Sequence, residues 1–423
     1  MSIPFVTATI VYRIKILSKF ISVQLVVQVL GLASGILLVR TLDQQQYAYF
    51  TIANTMQGTM NVLADSGISS GLSSIGGRVW QDPHRFGQLI NTAMQLRRYL
   101  AVIAITVVTP ILLWMLTSNG SSITYAVFIL VLVLVGLNFQ LTTVVLGIVP
   151  RLRSQINRIQ QLDLIAAISR LVLLGVTYFT LLNAALAILT ASIAFGLQNF
   201  FLTRWVSEYI DKKASINVED KLDILKIIKW QAPNTIFYCI QGQTAIWLIS
   251  IFGNTQSIAE VGALGRISVI FSIINSITSS IVIPAFVRCQ SVRVLWQRYW
   301  QIIGYYGLLT TGTVVISIIF PRQLLWILGN QYSHLENELT LILFSTTFSS
   351  WAGTLWSINA SKAWLKHNWV YIPTTITTQV ILLLFLDISN VKGVIVFGII
   401  SIIPGFLLNF SMAFEGFKEG FSN

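Results

Sequence analysis

A chain of 423 residues that is 55% hydrophobic and only 10% charged, with a mean hydropathy of +0.75, lies outside the range of soluble globular domains. Its net charge of +12 would suit a nucleic-acid partner, but the basic residues alternate with long apolar runs instead of forming one patch, so nucleic acid is set aside. An α-helix needs about twenty apolar residues to cross roughly 30 Å of hydrocarbon, and runs of that length exclude a transmembrane β-barrel.

Twelve such runs occur in chain order, at 20–39, 48–74, 97–117, 123–149, 162–182, 184–206, 232–252, 259–287, 299–320, 338–360, 368–387 and 393–414. Placing the N-terminus in the cytoplasm puts 22 of the 27 Lys and Arg residues in inner loops or at the two ends, with Arg78, Arg85, Arg97 and Arg98 in the first inner loop. Only Arg40, Arg322 and Lys392 fall in outer loops, while Arg170 and Arg266 fall inside runs. This bias follows the positive-inside rule, so both termini are expected to be cytoplasmic. Arg13, Lys15 and Lys19 lead directly into the first run with no small-residue cleavage site, so that run is expected to remain as a helix.

The first run carries Gln24, Gln28, Gly31 and Gly35 on one helical face. The second carries a polar stripe of Thr51, Asn54, Gly58, Asn61, Asp65 and Ser69, all within about 40° of Asp65 and opposite Ile52, Met56, Met60 and Leu63. A carboxylate and two carboxamides facing acyl chains are costly, so the stripe is expected to face protein or a water-filled cavity. Asp65 suits either an ion-coupling site or an acceptor between helices. The glycine pairs Gly31 with Gly35 and Gly67 with Gly71 allow close helix packing, and Pro110, Pro373 and Pro404 within runs predict kinks.

In the fifth run Arg170 shares a face with Asp163 and either pairs with it or meets phosphates. Residues 207–230 are densely charged, and Leu222, Leu225, Ile228 and Trp230 among them predict an amphipathic helix on the inner membrane surface. A shift of 210 residues carries the polar face of the first run onto Asn234, Tyr238, Gln241 and Ala245 of the seventh, as a duplicated transporter of two rocking lobes requires. In the eighth run Arg266 cannot be neutralised and needs a carboxylate such as Glu260, a carbonyl, water or a phosphate beside it. Ser268, Ser272, Asn275 and Ser279 occupy nearly the opposite face. The expectation is an all-α polytopic membrane protein, with twelve transmembrane helices in two pseudo-repeated six-helix lobes around a central cavity. The lobes are placed at 1–206 and 231–423, joined by a cytoplasmic linker at 207–230.

Cys239 and Cys289 sit in or beside apolar runs, where a thiol acts as a small apolar residue. His84, His334 and His367 lie in separate loops, which gives no metal cluster. Gly262 and Gly265 follow no strand, and no phosphate-cradling loop with a Lys follows one, so dinucleotide and ATP sites are not expected. No cofactor, metal or catalytic constellation is anticipated, and the class is a transporter. A polysaccharide polymerase or lipid-dependent glycosyltransferase would call for a large outer loop rich in Arg and acids, whereas the loop around Gln323 to Glu338 is modest.

Leu38-Val39-Arg40-Thr41-Leu42, then Tyr47-Ala48-Tyr49-Phe50, then Ala64-Asp65-Ser66-Gly67-Ile68 resemble the opening elements of polysaccharide exporters in the multidrug/oligosaccharidyl-lipid/polysaccharide (MOP) superfamily. The usual forms there are an Arg-x-Leu run, Tyr-Gly-x-Tyr/Phe and Asp-Leu-Gly-Leu, so Ala48 and Ser66 depart from the pattern. Val261-Gly262-Ala263-Leu264 with Arg266-Ile267 and Pro284 is similar to the family's eighth-helix pattern, and Leu328-Gly329-Asn330-Gln331-Tyr332 to its outer-loop element. The resemblance implies a flippase of the O-antigen or exopolysaccharide type in the bacterial cytoplasmic (inner) membrane. It would move an undecaprenyl-pyrophosphate-linked oligosaccharide outward by alternating access under an ion gradient. Its partners would be the lipid-linked oligosaccharide, membrane lipids and other polysaccharide-assembly proteins. By that likeness Arg266 meets the pyrophosphate. The polar stripes add Asn54, Asn61, Gln28 and Gln241 as sugar-binding candidates, Arg170 and Arg40 as further cations, and Asp65 for ion coupling. A multidrug exporter on the same scaffold is the alternative, and it favours more deep acids than Asp65 alone.

Overall fold

The computed structural model describes residues 4–179, 182–287, 291–362 and 364–422, which are nearly all helical, with no strand among them. Cys289 lies outside the described residues. The chain divides into two compact units, residues 1–243 and 244–423.

The first unit contains α1 (Pro4–Thr41), α2 (Gln44–Asp65), α3 (Ile68–Val79), α4 (Pro83–Ser118), α5 (Ile123–Leu146), α6 (Ile148–Leu152), α7 (Ile156–Tyr178), α8 (Ala184–Val206) and most of α9 (Val218–Phe252). Four of these helices start at side-chain caps, because Asp43, Asp82, Ser122 and Asn183 each accept a hydrogen bond from an otherwise orphaned backbone N–H of the first turn.

The second predicted run is not one helix. It breaks after Asp65, where Ser66 (φ +36°) and Gly67 (φ +108°) take left-handed conformations before α3 begins. Glycine tolerates that geometry, and a Cβ at Gly67 would also come within 3.0 Å of Gln231 Oε1. Gly71 does permit a close approach, since a Cβ there would lie 3.2 Å from Ile224 of α9, but Gly31 faces open space and carries no such contact.

At 36 residues α4 is about 54 Å long, well beyond the bilayer's hydrocarbon. Its first turns instead bury Phe86, Leu89 and Ile90 in a core with Leu72 of α3, Val149 of α6, Leu202 of α8 and Ile224 and Ile228 of α9. The charged segment is latched to the same turns. Arg85 forks onto Asp220 at 2.5 and 2.7 Å, His84 Nδ1 lies 2.9 Å from Asp211 Oδ2, and Asn91 donates to the Ala214 carbonyl at 2.8 Å. The separate surface helix expected there is replaced by the start of α9, which runs unbroken into the seventh predicted span. Its buried face is Ile224 and Ile228, packed in the core shared with α3 and α4, whereas Leu222, Leu225 and Trp230 are exposed.

The second unit contains the end of α9, then α10 (Thr255–Ile267), α11 (Ile270–Ile277), a π-helical turn (Thr278–Val282), α12 (Ile283–Val287), α13 (Val292–Ile319), α14 (Pro321–Leu328), α15 (Glu336–Ser361), α16 (Tyr371–Phe385) and α17 (Val391–Ser422). Phe286, Leu295, Tyr299, Leu355, Ile358 and Phe417 form its principal cluster, and buried Asn359 donates to the Asn409 carbonyl at 2.8 Å across α15 and α17. Pro110 and Pro404 are interior to α4 and α17 as expected. Pro373 is in the first turn of α16, where no intrahelical hydrogen bond is lost, so the kink predicted there has no cause.

Among the described residues nine helices are long and apolar enough to cross a membrane, or ten when α10 and α11, bent by 42°, count as one. The two other predicted runs, α2 with α3 and α15, are helical but more polar. The chain is a multi-pass membrane protein.

Candidate functional site

The polar stripe of α2 ends in a buried ion pair. Arg97 of α4 donates from Nη1 to Asp65 Oδ1 at 2.7 Å and from Nη2 to Asn61 Oδ1 at 2.9 Å. Its side chain is only 1% exposed, against 28% for Asp65. Ser69 adds its hydroxyl (2.6 Å) and its backbone N–H (3.3 Å) to the same Oδ1, at the start of α3, where the helix dipole also favours an anion. Asp65 Oδ2 accepts no hydrogen bond among the described residues.

Above this pair, α2 is amphipathic in the reverse of the usual membrane sense. Ile52, Met56 and Met60 are fully buried on the face that meets α4, α5 and α8, whereas Asn54 is exposed and Gly58 borders open space. Thr51 is buried and donates to the Tyr47 carbonyl, and so does not extend the accessible stripe. Asp65 stands 21 residues beyond Gln44, about 32 Å along the helix. That is a full hydrocarbon thickness, so Asp65 lies toward the end of the span.

Arg97, counted in a loop from the sequence, is therefore a buried helical residue. Sequence reasoning missed it because the apolar run begins there. The signal lies upstream, in the stripe Phe86, Leu89, Ile90, Ala93 and Leu96, which continues the buried face of α4 for three turns before the charge.

Arg266 is half-buried in the last turn of α10. Asn254 caps that helix by accepting from the Ser257 N–H at 2.8 Å, which starts it four residues earlier than the predicted run. Arg266 consequently lies about 16 Å along the helix from its start. Glu260 accepts from Gln256 at 2.8 Å and lies 3.0 Å from His334 Nε2. On the other stripe, Ser268 bonds Thr346 at 3.1 Å and Asn275 accepts from the Tyr306 hydroxyl at 2.6 Å, so both are engaged within the second unit, while Ser272 is exposed.

Of the remaining candidates, Gln28, Arg170 and Gln241 are half-buried and Arg40 is exposed. Asp163, the expected partner of Arg170, accepts from Gln198 of α8 at 3.2 Å. Cys239 is buried, its Sγ 3.9 Å from the Thr59 carbonyl. Among the described residues no group of three or more His, Cys, Asp or Glu side chains is placed to hold a metal.

No protein-family model and no curated protein matches the sequence. Solved structures do match, and the fold they define is that of the MOP-superfamily transporters, all-helical with twelve transmembrane segments in two lobes. A multidrug resistance MATE family transporter of that superfamily, in an inward-facing conformation, is similar with a TM-score of 0.74 and 16% identity over 93% of this chain and 96% of its own. The lipid II flippase MurJ, in an inward closed conformation, gives 0.72 and 12% identity over 95% of this chain and 89% of its own. A MOP superfamily transporter from Pyrococcus furiosus, described as having a binding pocket of reverse polarity, gives 0.65 and 16% over 95% of each chain.

Proposed function

We propose that the chain is a flippase for a lipid-linked oligosaccharide, carrying an undecaprenyl-pyrophosphate-linked sugar from inner to outer leaflet for O-antigen or exopolysaccharide assembly. The observation that carries this reading is the reversed amphipathicity of α2, which buries its apolar face in the first unit and leaves carboxamides accessible. Hydroxyl-rich sugars bind such groups; acyl chains do not. Asn54, Asn61, Gln28 and Gln241 are the sugar contacts in this reading. Arg266, with Arg170 and Arg40, serves the phosphates. Asp65, with Oδ2 open, is the ion-coupling acid, and the lobes 1–206 and 231–423 alternate about the 207–230 segment, in the inner membrane with both termini cytoplasmic. Similarity of fold to a lipid II flippase supports a lipid-linked cargo.

A MATE-like exporter of organic cations is the second reading, favoured by a fold similarity of the same size. Against it, the carboxylate of the polar stripe, Asp65, already has Arg97 as its counter-ion, leaving little negative charge for a cationic drug. Arg266→Ala separates the readings. In the producing cell it is expected to abolish the surface glycan while the protein stays in the membrane, with one intact repeat unit accumulating on its carrier by mass spectrometry. Unchanged glycan export would remove Arg266 from the mechanism, and drug sensitivity without carrier accumulation would favour the exporter.

A further inference from the structure

At one end of the first unit five side chains from separate elements stack in alternation as ring, cation, ring, cation, ring. The Arg153 guanidinium carbon lies 5.5 Å from the ring centre of Trp80 and 4.3 Å from that of Tyr209, and Arg158 lies 5.7 Å from Tyr209 and 5.5 Å from Trp205. Trp80 closes α3, Arg153 follows α6, Arg158 opens α7, Trp205 closes α8 and Tyr209 is in the turn after it. A left-handed Ser154 (φ +55°) turns the chain between the two arginines.

Rings that share two cations stabilise each of them but do not neutralise them. No carboxylate lies within ion-pair distance of either arginine among the described residues. The Trp80 carbonyl accepts from Arg153 Nη2 at 3.2 Å, while Arg153 Nε and Arg158 Nη1 are buried with no acceptor among the described residues. Each guanidinium carbon thus lies within 6 Å of two ring centres, and two like charges within about 10 Å of each other, with donors left over, call for an anion. Depth indicates which kind. Trp205 is 21 residues from the start of α8, about 32 Å, so the stack stands where hydrocarbon gives way to headgroups. Exposed Arg151 and Arg204 lie beside it in sequence.

We propose that Arg153 and Arg158 form a phosphate-binding site at headgroup level, the three rings fixing the guanidinium planes and their edges gripping the phosphate of an anionic lipid. This rests on the stack alone and is independent of the transport reading. The test is native mass spectrometry of the full chain, titrated in detergent with phosphatidylglycerol, phosphatidylcholine or inorganic pyrophosphate. Phosphatidylglycerol is expected to bind well above phosphatidylcholine, to be displaced by pyrophosphate, and to weaken by about tenfold or more in Arg153→Gln/Arg158→Gln. Arg158→Lys should fall between, since an ammonium cannot fork onto phosphate. Pyrophosphate binding that needs both arginines, without lipid preference, would keep the phosphate site and assign it to a soluble anion. Equal retention of the two lipids without pyrophosphate competition in the wild-type chain overturns the site, and so does unchanged phosphatidylglycerol binding in the folded double variant.

Discussion

Arg97 and Asp65 are joined at 2.7 Å, yet one is sealed from solvent and the other is not. The pair should therefore respond asymmetrically to truncation. Asp65→Ala strands a buried guanidinium and is expected to cost about 3–5 kcal/mol. Arg97→Met keeps the bulk and leaves a carboxylate that still reaches solvent and Ser69, so it should cost clearly less, and the double variant should recover much of the Asp65→Ala loss. Unfolding of the purified chain in detergent measures the ranking, and an Arg97→Met loss as large as that of Asp65→Ala would contradict it.

The accessible face of α2 can be probed at Gly58, where an added Cβ meets nothing within 4 Å. Gly58→Ala is expected to stabilise by about 0.5–1 kcal/mol through helix propensity and to leave transport unchanged. Gly58→Trp should reach the membrane in normal amount but transport poorly, because it fills the space beside Asn54 and Asn61. Membrane quantification alongside a transport assay checks both, and full transport by the Trp variant would show that this face borders no passage.

In the second unit the corresponding sensitivity is at Gly307. A Cβ there would lie 2.7 Å from Trp351 Cζ2, and that indole is pinned by donating Nε1 to Thr310 Oγ1 at 2.7 Å. Gly307→Ala is expected to destabilise by about 1–3 kcal/mol despite its better helix propensity. Gly304→Ala, with no neighbour within 4 Å, is the control and should be neutral or stabilising.

Acid should loosen the latch on α4. The hydrogen bond with His84, then the backbone N–H of Lys213, hold the Asp211 carboxyl below its ordinary value. Its ionised form is thus favoured by folding. The contribution is complete above the unfolded value of about 3.9 and is lost as pH falls through the lower folded value. Asp211→Asn should narrow its stability deficit against wild type only below about pH 4. The effect should be small because the carboxylate is exposed. A deficit that closes near neutral pH would show that another group controls it.

Much of this architecture is legible in the chain itself. Apolar runs mark the spans, and the three- and four-residue spacing of Asn54, Gly58, Asn61 and Asp65 marks the polar face. What periodicity hides is where a helix stops being membrane. The break at Ser66 and Gly67 is a backbone event inside what reads as one continuous run, and the first turns of α4 are buried by protein at a place too polar in its mean to read as a span. Arg97 fell on that border. On α9 the spacing of Leu222, Leu225, Ile228 and Trp230 marks an apolar side, but only tertiary packing shows that Ile224, with Ile228, joins the core shared with α3 and α4.

Asp65 commits one oxygen to three donors and leaves the other open. A cation or donor that settles on Oδ2 leaves every existing bond to Oδ1 in place. What such a visitor alters is the electric field along α2, while the helices stay fastened to one another.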